Sequence, residues 1–194
     1  MIRFLFAALS FQDAASAAAP PATSVRQAPL VSFSELGDAA GHTGRAVVEA
    51  TLGVDGKFRD AEIRESARSQ FLDADALSTV LEAKVGQNPA QPVRIRMTVE
   101  FRPTDLLTMR CDTFARQVRW YEAAWPERTQ KDTIVYVMAL GYETLSRRQA
   151  QGLNAALAGV RGFESAFSKT VDRCERSPSA RFTTILHDEM RQSS

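Results

Sequence analysis

The chain has 194 residues and carries 24 Lys and Arg against 23 Asp and Glu, a formal net charge of +1. With 44% hydrophobic and 24% charged residues, its composition is typical of a globular protein and argues against a largely disordered chain. The near-zero charge argues against nucleic-acid binding, and no apolar run approaches the about 20 residues that span a bilayer, so we expect no transmembrane anchor.

The first residues have the three-part order of a secretory signal peptide. A basic start at Arg3 precedes an apolar run over residues 4–11, and an A-x-A cleavage site ends at Ala17. This order predicts a cleaved signal peptide over residues 1–17 and a periplasmic protein. The alternative is an Ala-rich, disordered tail that is never cleaved.

Residues 18–40 are rich in Ala, Pro, Ser and Gly, including three prolines. Such a segment buries too little apolar area to offset the entropy lost on ordering. We therefore predict a flexible linker, with one turn or a short strand over residues 31–36 left open.

A β-hairpin is predicted next. Residues 45–52 alternate between apolar and polar with period two, which indicates a strand with one buried face. Asp55 and Gly56 follow as a tight turn, because both residues tolerate positive φ. The second strand runs over residues 58–65, and its alternation changes phase, which predicts a bulge near Asp60.

A helix and a third strand complete this unit. Residues 73–84 carry one apolar stripe with acidic residues near the start, as in an amphipathic helix. Residues 93–102 alternate without a break and form the clearest strand in the chain. The predicted fold class is α+β, with a three-stranded antiparallel β-β-α-β unit over residues 41–103 and a helical domain over residues 104–194.

In their order along the chain, the motifs of residues 41–103 resemble the C-terminal domain of TonB and TolA. These motifs are a glycine-led strand from Gly44, a turn segment at 54–58, an acidic-apolar helix start at 72–77, the pair Pro89-Ala90 and a strand ending at Phe101. The tyrosine-proline entry usual before the first strand is replaced here by residues 33–37.

The resemblance implies a non-enzymatic binding module. TonB-like domains bind extended peptides by strand addition, and the resemblance places the binding edge at the third strand. The expected partner is an envelope protein or an extended peptide. The side chains expected to contact it are Arg94, Arg96, Thr98, Glu100 and Arg102. The alternative is that the arginines only solvate the edge and protect it from aggregation.

The remaining residues read as helices. Residues 107, 111, 114, 118 and 121 form one apolar helical face, and Pro126 suits the start of a second helix that ends near Gly141. A third helix is predicted from about Ser146 and a last one over residues 182–190. The β-branched patch at 133–137 has strand propensity and leaves a strand open there.

Cys111 and Cys174 each lie on the apolar face of a predicted helix. In an exported protein they are expected to form a disulfide, which the chain-entropy model values at about 4 kcal/mol. The alternative is two buried free thiols that pack as small hydrophobic residues.

The helical part is similar to HdeA-type periplasmic proteins. The shared features are a C-x-x-F start at Cys111 and a late cysteine, Cys174, before a polar stretch with Pro178. The similarity implies an alternative function, that of an acid-stress chaperone or an immunity-type protein acting through the helical domain.

No catalytic constellation is visible in the sequence. His42 and His187 have no Cys, His or carboxylate at metal-ligand spacing, and no nucleotide-binding or hydrolase motif is present. We therefore expect no enzymatic activity, no metal and no cofactor.

Overall fold

A computed structural model describes residues 30–86, 88–103 and 105–193. The predicted signal peptide and residues 18–29 of the predicted linker lie outside the described residues. The fold is α+β, as predicted: a sheet with one long helix on it, which we call the sheet unit (residues 30–103), precedes a helical unit (residues 105–193). No helix in the described part of the chain is long and apolar enough to cross a membrane.

The sheet has four strands, one more than predicted, in the order β1-β4-β2-β3. Strands β2 and β3 form the predicted hairpin, and β4 pairs antiparallel with β2 along its whole length. The predicted bulge is present, because the β2–β3 register shifts beside Asp60, whose φ is 51°. The strands are β1 (Leu30–Ser32), β2 (Gly44–Leu52), β3 (Phe58–Glu65) and β4 (Val93–Phe101).

The linker predicted for residues 18–40 does not extend over residues 30–40, where the structure has the short strand that the sequence left open. Strand β1 pairs parallel with β4, and helix α1 (Glu35–Ala40) follows it. Ser34 begins the helix by accepting a hydrogen bond from the Gly37 N–H, which satisfies one of the free amides of the first turn. Three strand residues and six helix residues are too few to produce a periodic signal within an Ala- and Pro-rich segment.

Helix α2 (Gln70–Glu82) covers one face of the sheet. It begins earlier than predicted, because Ser69 and not an aspartate is the N-cap and accepts from the Leu72 N–H. Its buried stripe packs against the alternate strand residues that point to this face and completes one core. The fully buried members of that core are Ala46, Val48, Ala50, Leu72, Ala76, Val80 and Val99.

Four helices and one 3₁₀ turn form the helical unit. They are α3 (Cys111–Ala124), the 3₁₀ turn Gln130–Asp132, α4 (Ile134–Gln151), α5 (Leu153–Arg176) and α6 (Phe182–Gln192). The helix α4 begins at the Thr133 cap, continues through Gly141 and ends at Gly152, so the predicted break at 141 is wrong. The β-branched patch at 133–137 is helical, because Val135 packs into the helical core.

The predicted disulfide is present. Cys111 at the start of α3 and Cys174 near the end of α5 are joined, with 63 residues of sequence separation. Both lie in a core rich in phenylalanine, where Phe114 stacks on Phe182 at a ring-centroid distance of 4.2 Å. The disulfide therefore ties the first and third helices of this unit around its core.

Helix α3 attaches the helical unit to the sheet unit. The Trp120 side chain packs against the sheet core and stacks on the His42 ring, with centroids 4.4 Å apart. His42 Nδ1 lies 2.8 Å from Ser69 Oγ, and burial lowers the pKa of His42. Gly41 is required where α1 ends, because its φ is +78° and a Cβ would lie 2.6 Å from the Arg116 side chain.

A second contact holds the junction at the end of α3. Arg68, whose φ is 57°, donates to the Ala124 carbonyl (2.5 Å) and to the Glu127 carboxylate (2.9 Å). Its guanidinium carbon also lies 3.9 Å from the centroid of the Trp125 ring. One side chain of the sheet unit thus makes a hydrogen bond, an ion pair and a cation–π contact with the helical unit.

Candidate partner-binding edge of the sheet

The β3 edge of the sheet is protected against strand addition. Five of its eight residues are charged, and the shifted register beside Asp60 distorts the strand. Charged side chains and bulges are the means by which natural sheets discourage pairing with another chain. This edge therefore has the features of a surface that stays unpaired.

The opposite edge is partly covered, so the prediction that β4 is a free edge along its whole length is wrong. In the part of the chain that the structure describes, strand β1 pairs with β4 at residues 99–101. Among the described residues, no strand pairs with residues 93–98 on that side of β4. Because alternate residues of an antiparallel strand direct their N–H and C=O groups away from its partner, this segment offers main-chain groups to an added strand.

Exposed apolar side chains lie toward the other end of this edge, where β1 covers β4. Val31, Phe33 and Leu36 are 60%, 53% and 63% exposed, and all three belong to the β1–α1 segment. Exposed apolar side chains are typical of interaction sites, and these belong to the segment that forms the same sheet edge. The sequence prediction missed these residues, although three large apolar side chains within six positions of a supposed linker were a usable signal.

Arg94 and Arg96, which were predicted to contact a partner, form ion pairs with a glutamate inside the sheet. Glu49 on β2 has a side chain only 4% exposed, and its oxygens lie 2.6 Å from Arg94 Nη2 and 2.7 Å from Arg96 Nε. Arg64 on β3 approaches the same carboxylate at 2.8 Å. Hydrogen bonds from Arg64, Arg96 and Arg94 lower the pKa of Glu49 to about 2. This cluster, which we call the Glu49 network, joins three strands on the face opposite α2.

Arg94 and Arg96 differ in how many of their N–H donors remain free to contact a partner. Arg94 uses Nε and Nη2 on Glu49 and also contacts Glu62, and its side chain is 28% exposed. Arg96 contacts Glu49 through Nε alone and is 54% exposed. The Arg96 guanidinium therefore keeps N–H donors that face solvent at the unpaired segment.

The other three predicted contact residues lie further along β4. Thr98 is half-buried opposite Val47 of β2. Glu100 and Arg102 pair with each other at 2.9 Å, beyond the unpaired segment and beside β1. Arg96 and Thr98 are therefore at the segment that is open, whereas Glu100 and Arg102 are not.

Each histidine contacts other residues of the fold. His42 contacts Ser69 and Trp120 at the junction, and His187 on α6 lies 2.9 Å from Glu143 of α4. Over residues 30–86, 88–103 and 105–193, no group of three His, Cys, Asp or Glu side chains could hold a metal ion.

A comparison with known protein families finds a match that covers the sheet unit. Residues 29–103 match the family model of the Gram-negative bacterial TonB protein C-terminal domain. This part of the chain therefore resembles TonB C-terminal domains, which are non-enzymatic protein-interaction modules of the periplasm. The match begins at residue 29, so it includes β1 and α1.

The helical unit lies outside that match, and its similarity to HdeA-type proteins is not shown. No curated protein and no solved structure matches the chain. What the helical unit does must therefore be argued from its own residues.

Proposed function

We propose that this chain is a periplasmic binding protein whose TonB C-terminal domain captures an extended segment of an envelope protein by strand addition. The observation that carries the proposal is the difference between the two sheet edges. One edge is charged and bulged, whereas the other leaves residues 93–98 unpaired among the described residues and carries exposed apolar side chains. Strand addition uses main-chain hydrogen bonds for affinity and neighbouring side chains for selection.

Selection by charge would come from Arg96. Its free donors lie on the face opposite α2, so an acidic side chain at the facing position of the added strand would form a charge-assisted hydrogen bond. Arg94 acts indirectly, because its donors are used by Glu49 and Glu62. We therefore propose Arg96 and Thr98 as contact residues and assign Arg94 to the support of the sheet.

Selection by apolar contact would come from the β1–α1 segment. Phe33 and Leu36 are more than half exposed, and burying them against a partner removes apolar surface from water. An added strand with both acidic and apolar residues fits this combination.

A periplasmic location is supported by the family of the sheet unit and by the disulfide. Disulfides persist in oxidising compartments such as the periplasm. The cleaved signal peptide over residues 1–17 remains a prediction from the sequence.

The test is site-specific photo-crosslinking in the envelope of the native host. A photoreactive residue replaces Phe33 at the β1 end of the open edge. In the matched control it replaces Arg59 on the β3 edge. Both positions are more than half exposed, and neither belongs to the Glu49 network. We expect the first variant to capture one envelope protein that mass spectrometry identifies, and the second to capture none.

Capture from position 59 with none from position 33 would contradict the proposal. Many partners at both positions, appearing only at low pH, would instead favour a chaperone-like function.

A further inference from the structure

Strand β1 meets β4 in an orientation that determines where the chain before it leads. The two strands pair parallel, from Leu30 opposite Val99 to Ser32 opposite Phe101. Because both strands run in the same direction, the residues that precede β1 lead toward the start of β4. That part of β4, residues 93–98, is the segment with which no strand of the described residues pairs on this side.

The length of chain just before β1 matches the unpaired segment. Continuing the β1–β4 register one residue at a time would set residues 24–29 opposite residues 93–98. Residues 24–29 are covalently continuous with β1, so pairing them with β4 closes no additional loop. Their effective concentration at this edge is therefore set by the chain itself and does not depend on the protein concentration.

The face that each added side chain would take follows from β1. The Ser32 hydroxyl lies 2.9 Å from that of Thr79 on α2, so Ser32 faces the helix. The neighbouring Val31 is 60% exposed and belongs to the opposite face. Since side chains alternate along a strand, Gln27 would share the face of Val31 and stand opposite Arg96.

Arg96 suits an uncharged acceptor at that position. Its Nε donates to Glu49, while its other N–H groups remain free and the side chain is 54% exposed. The side-chain carbonyl of a glutamine accepts hydrogen bonds from a guanidinium. Such a contact adds no charge beside the Glu49 network, so that network stays as it is.

The composition of residues 24–29 indicates a strand that is held weakly. Val25 is the one β-branched residue among them, and Ala28 has low strand propensity. Pro29 has no N–H to donate and is tolerated only at a sheet edge. An incoming strand that is richer in β-branched or aromatic residues would pair better and replace this one.

We propose that residues 24–29 extend β1 and occupy the unpaired segment of β4, as an intramolecular strand that a partner must displace. The regulatory effect rests on the proposed function, because both concern the same edge. The segment lowers the apparent affinity for a partner by the fraction of time that it occupies the edge. It also keeps the edge from pairing with another copy of the chain. A partner strand that pairs better protects the same amides of β4 further.

The test is amide hydrogen exchange of the purified full chain with no partner present. Arg26→Pro together with Gln27→Pro removes two adjacent N–H groups. One of the two faces β4, because the N–H groups of a strand point alternately to its two sides. We expect the protected amides between Val93 and Thr98 to exchange about tenfold faster in this variant, as when a strand that is paired about nine-tenths of the time is released.

The matched control is Ala18→Pro together with Ala19→Pro, which places two prolines upstream of the segment. It should leave the exchange of β4 unchanged, and both variants should leave the amides of β2 protected. A photoreactive residue at position 27 tests the register, because it should crosslink within the chain to residues 94–98. The same residue at position 19 should not.

Unchanged exchange between Val93 and Thr98 in the variant with Arg26→Pro and Gln27→Pro would overturn the proposal. Equal acceleration by the control prolines, or crosslinks from position 27 that map away from β4, would overturn it as well. These measurements need no partner, whereas the proposed function is judged by capture from position 33, so the failure of either can be recognised separately. Where both hold, the proline variant should bind the captured envelope protein about tenfold more tightly.

Discussion

The sheet unit and the helical unit are stabilised by different means. The sheet unit joins its strands through a one-helix core and the Glu49 network, and every contact in it is non-covalent. The helical unit closes around an aromatic core with the Cys111–Cys174 disulfide. The covalent link therefore lies away from the unit that offers an unpaired edge. A change in one unit should affect the stability of that unit more than the stability of the other.

The largest effect should come from opening the disulfide. Replacing Cys111 and Cys174 together by Ser should lower the free energy of unfolding of the helical unit by about 4 kcal/mol, because the unfolded chain regains the entropy of a long loop. Amide hydrogen exchange should show the loss in α3, α5 and α6 and leave β2 and β4 protected. Equal losses in both units would show that they unfold as one body.

Trp120→Ala should have the next largest effect, at the junction. The indole packs on the sheet core and stacks on His42, so its removal should cost about 2 kcal/mol, less than a fully buried aromatic residue. Denaturant unfolding should then separate into two transitions. A single transition with an unchanged slope would show that the Arg68 contacts are sufficient to couple the units.

Glu49→Gln should destabilise the sheet unit in a manner that depends on pH. The folded-state pKa of Glu49 is lowered to about 2, so its stabilising contribution is fully present above the pKa of the unfolded chain, near 4.5. That contribution is lost as the pH falls toward 2, where the wild-type side chain is protonated as well. Urea unfolding should therefore show a difference between the proteins at pH 7 that disappears near pH 2.

The matched control for that pH dependence is Asp55→Asn. Asp55 also pairs with an arginine, Arg59, but on the exposed hairpin, where ion pairs contribute little. A pH-dependent loss as large as that of Glu49→Gln would contradict the central role given to the Glu49 network.

The smallest effect on stability is expected at the unpaired edge. Phe33→Ser with Leu36→Ser should leave the free energy of unfolding within about 0.5 kcal/mol, because both side chains are already exposed. Affinity for the captured partner should fall about tenfold through the loss of apolar contact. Val54→Ser, an equally exposed apolar residue on the hairpin turn, should leave that affinity unchanged.

The sequence predicted what depends on local pattern. Three elements were predicted in this way: β4 from the alternation of residues 93–101, the hairpin from the Asp55-Gly56 turn, and α2 from its apolar stripe. The disulfide was predicted from the apolar helical faces that carry Cys111 and Cys174. Each of these patterns extends over only a few residues, so it can be recognised without knowledge of the tertiary structure.

The features that the sequence did not predict depend on contacts between residues that are far apart in the chain. Glu49 and Arg94 are 45 positions apart, so alternation showed two polar residues without showing that they meet. Strand β1 has three residues, and only its pairing with β4 defines it.

The central claim is that a partner adds a strand to residues 93–98 of β4. Amide hydrogen exchange of the full chain, with and without the partner segment captured from position 33, tests it most directly. Strand addition at this segment predicts slower exchange at alternate amides between Val93 and Thr98, with no change along β3. Protection along β3, or partner binding that leaves every amide of β4 unchanged, would contradict it.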